Sequence, residues 1–313
     1  SIAASTPVMF TPDMPWHEAL EKIDSEYRLS AVRVASLDSL NDDPHIKLGN
    51  RPDDFRNFRY GNNLIGDDPY HGTMVAGVIA ACAATAGELP RPVKILSVRA
   101  IPEGDEYDRD VAAAIRYAVD NGAKVINMSF GKYISPYRKQ VRKAVRYALR
   151  KDVLLVMAAG NNSLNIDSIP IYPSVEKRKG KRFGNMVVVG ATDRRGCVCR
   201  FSNYGRRTVD LFAPGVDILS TAPGGKYDKG EGTSISAPMV SGVAGLMRAM
   251  RPDLTAVQVR DILLASVRDL SGVETTLPGG GRATIRAGDL CLSHGVLDAR
   301  AALKMLEKRK IVR

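Results

Sequence analysis

Histidine, cysteine and tryptophan are scarce in this chain: four, four and one among 313 residues. Four histidines (His17, His45, His71 and His294) leave few places for an imidazole base. The four cysteines, Cys82, Cys197, Cys199 and Cys291, fall at no metal-ligand spacing, which argues against a cysteine-based metal site. Cys197 and Cys199 are two apart, face opposite sides of any strand and do not readily pair with each other. Free structural thiols are the leading reading, with one disulfide as the alternative. No apolar run reaches the roughly 20 residues that span a bilayer. The longest, at 153–157 and 186–189, have the length of buried strands. There is no internal repeat, no low-complexity linker and no charged-then-apolar leader. Acid is the scarcer charge, with 34 Asp and Glu against 45 Lys and Arg and a net charge of +11. Basic runs occur at 176–182, 194–195 and 308–310. No aromatics interleave with them, and aromatic residues are only 6% of the chain. Solvated loops and a frayed tail are therefore favoured over a nucleic-acid surface.

What is present is three short motifs. Gly232-Thr233-Ser234-Ile235-Ser236-Ala237-Pro238 puts a serine at the head of an apolar segment, 240–247, that reads as a buried helix. A helix N-terminus offers unpaired N–H groups and the positive end of the dipole, so a hydroxyl there sits beside ready-made donors for an oxyanion. A plain helix cap is the bland alternative. Gly232 would let a substrate backbone approach closely, and Pro238 is expected within the first turn or so, where proline is tolerated. His71-Gly72-Thr73-Met74-Val75-Ala76-Gly77 is a second polar head on a small-residue helix, following the turn-rich stretch 66–70. A serine hydroxyl is a weak nucleophile until a base takes its proton, and His71 has the best setting for that role. His17 lies in a polar amphipathic helix and His294 in a late loop, and both read as surface residues. The third motif, Ala31-Val32-Arg33-Val34-Ala35-Ser36-Leu37-Asp38, is a β-rich run ending in a carboxylate. An Asp at the C-terminal end of a parallel strand points into the crevice where such sheets bind ligands. There it could orient an imidazole and stabilise its protonated form. Otherwise it caps the turn at 39–44.

Strand-like and helix-like segments alternate: strand 93–98, helix 108–121, strand 124–128, helix 136–151, strand 153–158. The first helix keeps Val111, Ala114, Ile115, Ala118 and Val119 on one face. Its acids Asp108 and Asp110 suit a helix start, and Asn121-Gly122 suits its end. Thr255-Ala256-Val257-Gln258 is a capping-box signature. This alternation predicts an α/β fold: a doubly wound, mainly parallel sheet with helices on both faces, in three layers.

The order Asp38, His71, Ser234 resembles that of the subtilisin-like serine peptidases, the subtilases or S8 family. Asn127-Met128-Ser129-Phe130-Gly131 resembles the family's substrate-pairing segment, and Ala158-Ala159-Gly160-Asn161 the stretch carrying its oxyanion asparagine. Phe201-Ser202-Asn203-Tyr204-Gly205 and Phe212-Ala213-Pro214-Gly215 are similar to further landmarks. The resemblance runs from about Val32 to Leu303. It departs at Leu40, where the family has glycine, and at Ser36, where an apolar residue is usual.

The resemblance implies a serine endopeptidase working through an acyl-enzyme. Ser234 would attack, His71 act as base and then acid, Asp38 orient His71, and the Ser234 N–H with the Asn161 amide hold the oxyanion. Substrate would lie as an extended strand between Gly104-Asp105-Glu106 and Ser129-Phe130-Gly131. Ala159 and Gly160 would also contact the substrate, and Ile171 would form a shallow apolar floor to the first side-chain pocket. Glu103, Asp105, Glu106 and Asp108 crowd the first rim and would favour Lys or Arg upstream of the scissile bond. For Asp108, a helix-capping role is the favoured alternative. Two other readings remain: a catalytically weak fold used as a binding module, supported only by the degenerate Asp38 motif, and a peptide ligase or macrocyclase. The latter calls for an inserted shield near His71 or Ser234, and the sequence contains none.

The expected partners are a protein or peptide substrate and an inhibitory pro-segment, which the residues before Asp38 are too few to form. The sequence therefore reads as a mature or trimmed form, secreted or in the cell envelope or periplasm. No cofactor, nucleic acid or membrane span is expected. No metal is expected either, because 83–92 has one carboxylate where many subtilases insert a calcium loop needing six to eight oxygen ligands. The expected organisation is an N-terminal extension, 1–30, containing a helix at 15–27, and a peptidase domain, 31–313.

Overall fold

Strands with no polar face form the middle of the sheet. The computed structural model describes residues 32–38, 55–57, 70–83, 93–101, 106–178 and 180–308. The main strands are β1 (Val32–Asp38), β2 (Phe55–Asn57), β3 (Val93–Arg99), β4 (Ala123–Met128) and β5 (Leu154–Ala158). A short hairpin, β6 (Glu176–Arg178) and β7 (Lys181–Arg182), precedes β8 (Met186–Thr192) and β9 (Leu211–Pro214). A second hairpin joins β10 (Ile218–Ala222) to β11 (Lys226–Gly230). After β12 (Arg268–Asp269), β13 (Glu274–Thr276) and β14 (Thr284–Arg286) form a third, and β15 (Gly295–Val296) closes the sheet. Among the described residues the large sheet has nine strands in the order β12-β15-β9-β8-β5-β4-β1-β3-β2. Neighbours are parallel throughout except for β12 with β15.

The helices are α1 (Tyr70–Cys82), α2 (Asp108–Asp120), α3 (Arg138–Arg150), α4 (Thr233–Met250), α5 (Ala256–Ala265) and α6 (Ala299–Lys308). Alternate residues of the apolar strands supply two cores. Val34, Val125, Leu154, Val156, Val187 and Val189 pack with α1, α4, α5 and α6. Ala35, Leu37, Ile126, Leu155, Met157 and Val188 pack with α2 and α3 on the opposite face. Continuous apolar strands are what a sheet covered on both faces requires, so the expected three-layer, doubly wound α/β architecture holds.

Chain order reverses at β1, which lies between β3 and β4. Ligand sites in open α/β sheets lie beyond the C-terminal strand ends at such a switch point, and Asp38 is the last residue of β1. The expected elements are present with small shifts. The helix expected at 136–151 begins at Arg138, because Asp108 accepts bonds from Ser135 Oγ (2.8 Å) and the Tyr137 N–H (2.7 Å) and holds 135–137 as a turn. The Thr255–Gln258 capping box forms with both of its bonds. The expected 15–27 helix and the boundary at residue 30 lie outside the described residues. Among the described residues no helix is long and apolar enough to cross a membrane. All four cysteines are free thiols.

Candidate active site

Helix α4 is buried along almost its whole length, so its glycines set how closely its neighbours approach. A methyl group on Gly242 would lie 2.7 Å from the Ile79 carbonyl oxygen of α1. One on Gly230, at the end of β11, would meet Met74 Sδ at 2.4 Å and Ile235 at 3.3 Å. The heads of α1 and α4 therefore close on a shared backbone segment, bringing the starts of the His71 and Ser234 motifs to one end of the molecule. The β10–β11 hairpin steadies α1: Ser220 Oγ donates to the Met74 carbonyl (2.7 Å) and Thr221 Oγ1 to that of Thr73 (2.9 Å). Gly77 leaves the space both hydroxyls occupy.

Ser234 is the second residue of α4 and is half-buried. As expected at a helix start, its N–H has no partner among the described residues. Gly232, just before the helix, has φ +126° and ψ 163°, a conformation for glycine alone. A methyl there would sit 3.1 Å from Asn161 Nδ2 and 3.2 Å from Ser234 Oγ. The hydroxyl and the amide thus face one carbon-sized space, which Gly232 keeps open.

Asn161 follows β5, and its orientation comes from Thr233. Its Oδ1 accepts from the Thr233 N–H and from Thr233 Oγ1, both at 2.9 Å, and that hydroxyl accepts the Gly160 N–H at 3.0 Å. With Oδ1 held, Nδ2 is left without a partner among the described residues and borders the same space as Ser234 Oγ. Open donors beside a serine hydroxyl are what an acyl-transfer site would need to stabilise developing charge.

Pro238 lies one turn inside α4 rather than in its first turn. It has no N–H to give to the carbonyl four residues back, which is that of Ser234. Ser129 Oγ supplies the missing bond to Ser234 O at 2.7 Å. Ser129 Oγ in turn accepts from Asn127 Nδ2 (2.9 Å), and Asn127 Oδ1 from Ser241 Oγ (2.8 Å). This buried chain ties the expected substrate segment to the nucleophile helix.

The segment 129–131 faces 159–160 across a gap that Ile171 fills. Ile171 is 3% exposed, and its Cδ1 lies 2.6 Å from where a methyl on Gly131 would sit and 3.2 Å from one on Gly160. Phe130 is half-buried beside it. Behind the gap, Asn203 joins both walls. Its Nδ2 donates to the Ala159 carbonyl (2.8 Å) and to Tyr133 Oη (2.9 Å), and its Oδ1 accepts the N–H groups of Asn162 (3.1 Å) and Leu164 (2.9 Å).

Asp108 is 4% exposed and serves neither the groove nor its own helix end. It pairs with Lys132 Nζ at 2.9 Å besides its bonds to Ser135 and Tyr137, and Lys132 also donates to the Glu106 carbonyl. Burial alone would raise its pKa, but these hydrogen bonds and the lysine charge outweigh it and hold the carboxyl below the usual aspartate range. The expected contribution of Asp108 to an acidic rim is thereby corrected, because Lys132 neutralises it.

Asp38 ends β1 in register with Arg99; its side chain, Leu40, Glu103, Gly104, Asp105 and the stretch 84–92 lie outside the described residues. No group of three or more His, Cys, Asp or Glu that could hold a metal occurs among the described residues. Thr233, Ser241 and the hub role of Asn203 were missed in the sequence. Only the position of Thr233 beside Ser234 could have signalled the first.

Fold and site define a serine-hydrolase domain of the doubly wound α/β kind. Its residues 30–282 match the model of the Subtilase family, and the chain belongs to that family. It is 35% identical over 261 residues to a cell wall-associated protease of Bacillus subtilis (strain 168), covering 82% of this chain and 27% of that protein. It is 33% identical over 261 residues to Subtilisin Savinase of Lederbergia lenta, covering 80% of this chain and 88% of that protein. Among solved structures, a lanthipeptide protease superposes with a TM-score of 0.74 at 27% identity, over 93% of this chain and 94% of the other. A cold-adapted subtilisin-like serine proteinase does so with a TM-score of 0.65 at 26% identity, over 85% and 90%. The chain spans 27% of the cell wall-associated protease and 48% of a similar thermophilic serine proteinase from Bacillus sp. (strain AK1).

Proposed function

We propose that this chain is a serine endopeptidase that cleaves peptide bonds through Asp38, His71 and Ser234. Ser234 Oγ attacks the carbonyl carbon as His71 takes its proton. The oxyanion is held by the Ser234 N–H and Asn161 Nδ2, and the leaving amine departs with the proton from His71. Water, activated by the same histidine, hydrolyses the ester and restores Ser234. Asp38 orients the imidazole and stabilises its charged form. The observation that carries this reading is that Asn161 Nδ2 and Ser234 Oγ meet at one space beside Gly232, with Asn161 oriented by Thr233.

Substrate pairs as a strand with Ser129, Phe130 and Gly131 on one side and Gly104, Asp105 and Glu106 on the other. Ala159, Gly160 and Ile171 border the first pocket, which accepts a medium apolar side chain. An inhibitory pro-segment and a secreted or cell-envelope location belong to the same reading; a similar protein is a cell wall-associated protease. A fluorophosphonate probe should label Ser234 and not the Ser234→Ala protein, and only the parent should hydrolyse a peptide library. A parent that is neither labelled nor active would leave the binding-module alternative standing. Joined rather than hydrolysed products in the presence of an amine acceptor would favour the ligase.

A further inference from the structure

Helix α3 carries Arg138, Lys139, Arg142, Lys143, Arg146 and Arg150, with Lys151 just beyond, and no carboxylate. Its buried edge is Val141, Ala144, Val145 and Ala148, so the cations spread over the outer surface. All are exposed except Arg142, which is half-buried. Several arginines elsewhere are matched: Arg182 and Arg260 on Asp210, Arg248 on Asp152, Arg251 on Asp253. Among the described residues none of the α3 cations has a carboxylate partner. The first turn also holds no acid; the carboxylate at the head of the helix, Asp108 on the Tyr137 N–H, is already paired with Lys132.

The neighbouring hairpin extends the patch. Arg138 and Arg142 line a small crevice with Tyr172, Pro173 and Ser174, and Ser174 Oγ accepts the Glu176 N–H at 3.1 Å. From there β6 and β7 carry exposed Lys177, Arg178 and Lys181. The one acid of the hairpin, Glu176, accepts the Gly180 N–H at 3.1 Å.

The patch is continuous with the substrate groove. Ser129 touches the Ser234 carbonyl, and Lys132 is bonded in both directions to Tyr172 (3.1 and 2.8 Å). Tyr133 to Tyr137 then lead into α3. Along the chain, the segment 129–131 runs on through Lys132 and the exposed Ile134 and Tyr137 to the first turn of α3.

Resting on the peptidase reading, we infer that α3 and the β6–β7 hairpin form a docking surface for an acidic stretch of polypeptide upstream of the scissile bond. Stacking of nucleic-acid bases is disfavoured, because the one aromatic ring within α3, Tyr147, is flanked by Arg116, Arg150 and Lys151 at 5.0–5.9 Å and donates its hydroxyl to Asp120. Continuity with the groove favours a peptide over a lipid surface. This reverses the basic upstream preference expected from the sequence.

The test compares one cleavable peptide in three forms: unextended, with a Ser/Gly N-terminal extension, and with an Asp/Glu extension. The proteins are the parent and an Arg138→Gln, Arg142→Gln, Arg146→Gln variant. At low ionic strength the parent should cleave the acidic form with kcat/KM about 10-fold above the neutral form, through KM. The gain should vanish in the variant and in about 1 M salt, where the screening length is about 3 Å. Equal rates on both extensions, or a gain that survives in the variant, overturn the inference. The unextended peptide reports the peptidase reading separately and should be cleaved equally by both proteins. Binding is also read without turnover, by fluorescence anisotropy of the labelled acidic extension on Ser234→Ala protein with and without the three substitutions. Absence of binding there overturns the inference. So does binding to phosphatidylglycerol vesicles or duplex DNA that outcompetes the acidic peptide.

Discussion

Replacing Thr233 with valine tests the proposed oxyanion site at its support rather than at its donors. Thr233 is fully buried, and its hydroxyl both accepts the Gly160 N–H at 3.0 Å and donates to Asn161 Oδ1 at 2.9 Å. Valine keeps the shape and the backbone bond from the Thr233 N–H to Oδ1, also 2.9 Å, and removes only the two hydroxyl bonds. Leaving the Gly160 N–H without a buried partner costs roughly 1–3 kcal/mol of stability, which should lower Tm by several degrees. Complete loss of an oxyanion donor costs about 2.7–4 kcal/mol of transition-state binding, a magnitude measured in subtilisin rather than taken from this chain. One of two restraints on the amide survives, so about 1.4 kcal/mol, or tenfold in kcat, is expected. The lost contact exists only in the transition state, so KM should hold. Steady-state kinetics on one peptide with Thr233→Val, Asn161→Ala and the double variant decide the matter. Asn161→Ala should lower kcat by roughly 10²–10³, and adding Thr233→Val should then change little, because its role passes through Asn161. Unaltered kcat in the single variant, a rise in KM, or full multiplication of the two effects would refute the reasoning.

Ile171→Gly should open the first pocket and move the preference before the scissile bond from medium aliphatic to large aromatic residues; an unchanged cleavage profile would show that Ile171 does not floor it. As Ile171 is 3% exposed, the cavity should cost roughly 2–5 kcal/mol, so Ile171→Val serves as a milder step in the same direction. Asp108 has a folded pKa held below its ordinary value of 3.8, so it contributes stability that is fully present above about pH 4 and lost as pH falls through the folded pKa. Asp108→Asn should therefore lower Tm at neutral pH and flatten the acid limb of the Tm–pH curve, whereas a parallel acid limb would exclude this role. Burial pushes the thiols of Cys82 and Cys199 up to about 12 and that of Cys291 up to about 11. Only half-buried Cys197 should react with a thiol reagent near pH 8 in the native protein, with all four reacting after unfolding; fast native titration of more than one would contradict the packing.

The layered sheet was legible because both of its faces are covered, so β5 and the start of β8 read as continuous apolar runs with helical periods between the strands. The His71 and Ser234 motifs were legible because each sets one polar residue at the head of a helix too small and apolar to lie at the surface. Asp108 was misread because its local signal, an acid opening a helix, is the same whether it caps that helix or binds Lys132 in a later segment. The α3 cations were visible but recur at helical spacing, and such a pattern does not distinguish a solvated face from a docking surface. For Asn203 the sequence showed only a motif, 201–205, similar to a family landmark and not its bonding, because its partners at 133, 159, 162 and 164 lie far from it along the chain.

Pro238 shows most directly why part of the site escapes sequence reasoning. Judged locally, a proline within α4 is a defect that can cost about 3 kcal/mol or more. In the fold, its missing N–H leaves the Ser234 carbonyl for Ser129 Oγ, converting a helix bond into a link between α4 and the segment 129–131. Ser129 is held by Asn127, and Asn127 by Ser241 of the same helix, so the link closes a loop of buried hydrogen bonds. Such a loop fixes the serine's backbone from two sides, as a preorganised donor at its N–H requires. The break in the helix and the proposed oxyanion donor four residues before it are therefore linked through one bond, visible only once β4 has brought Ser129 to the head of α4.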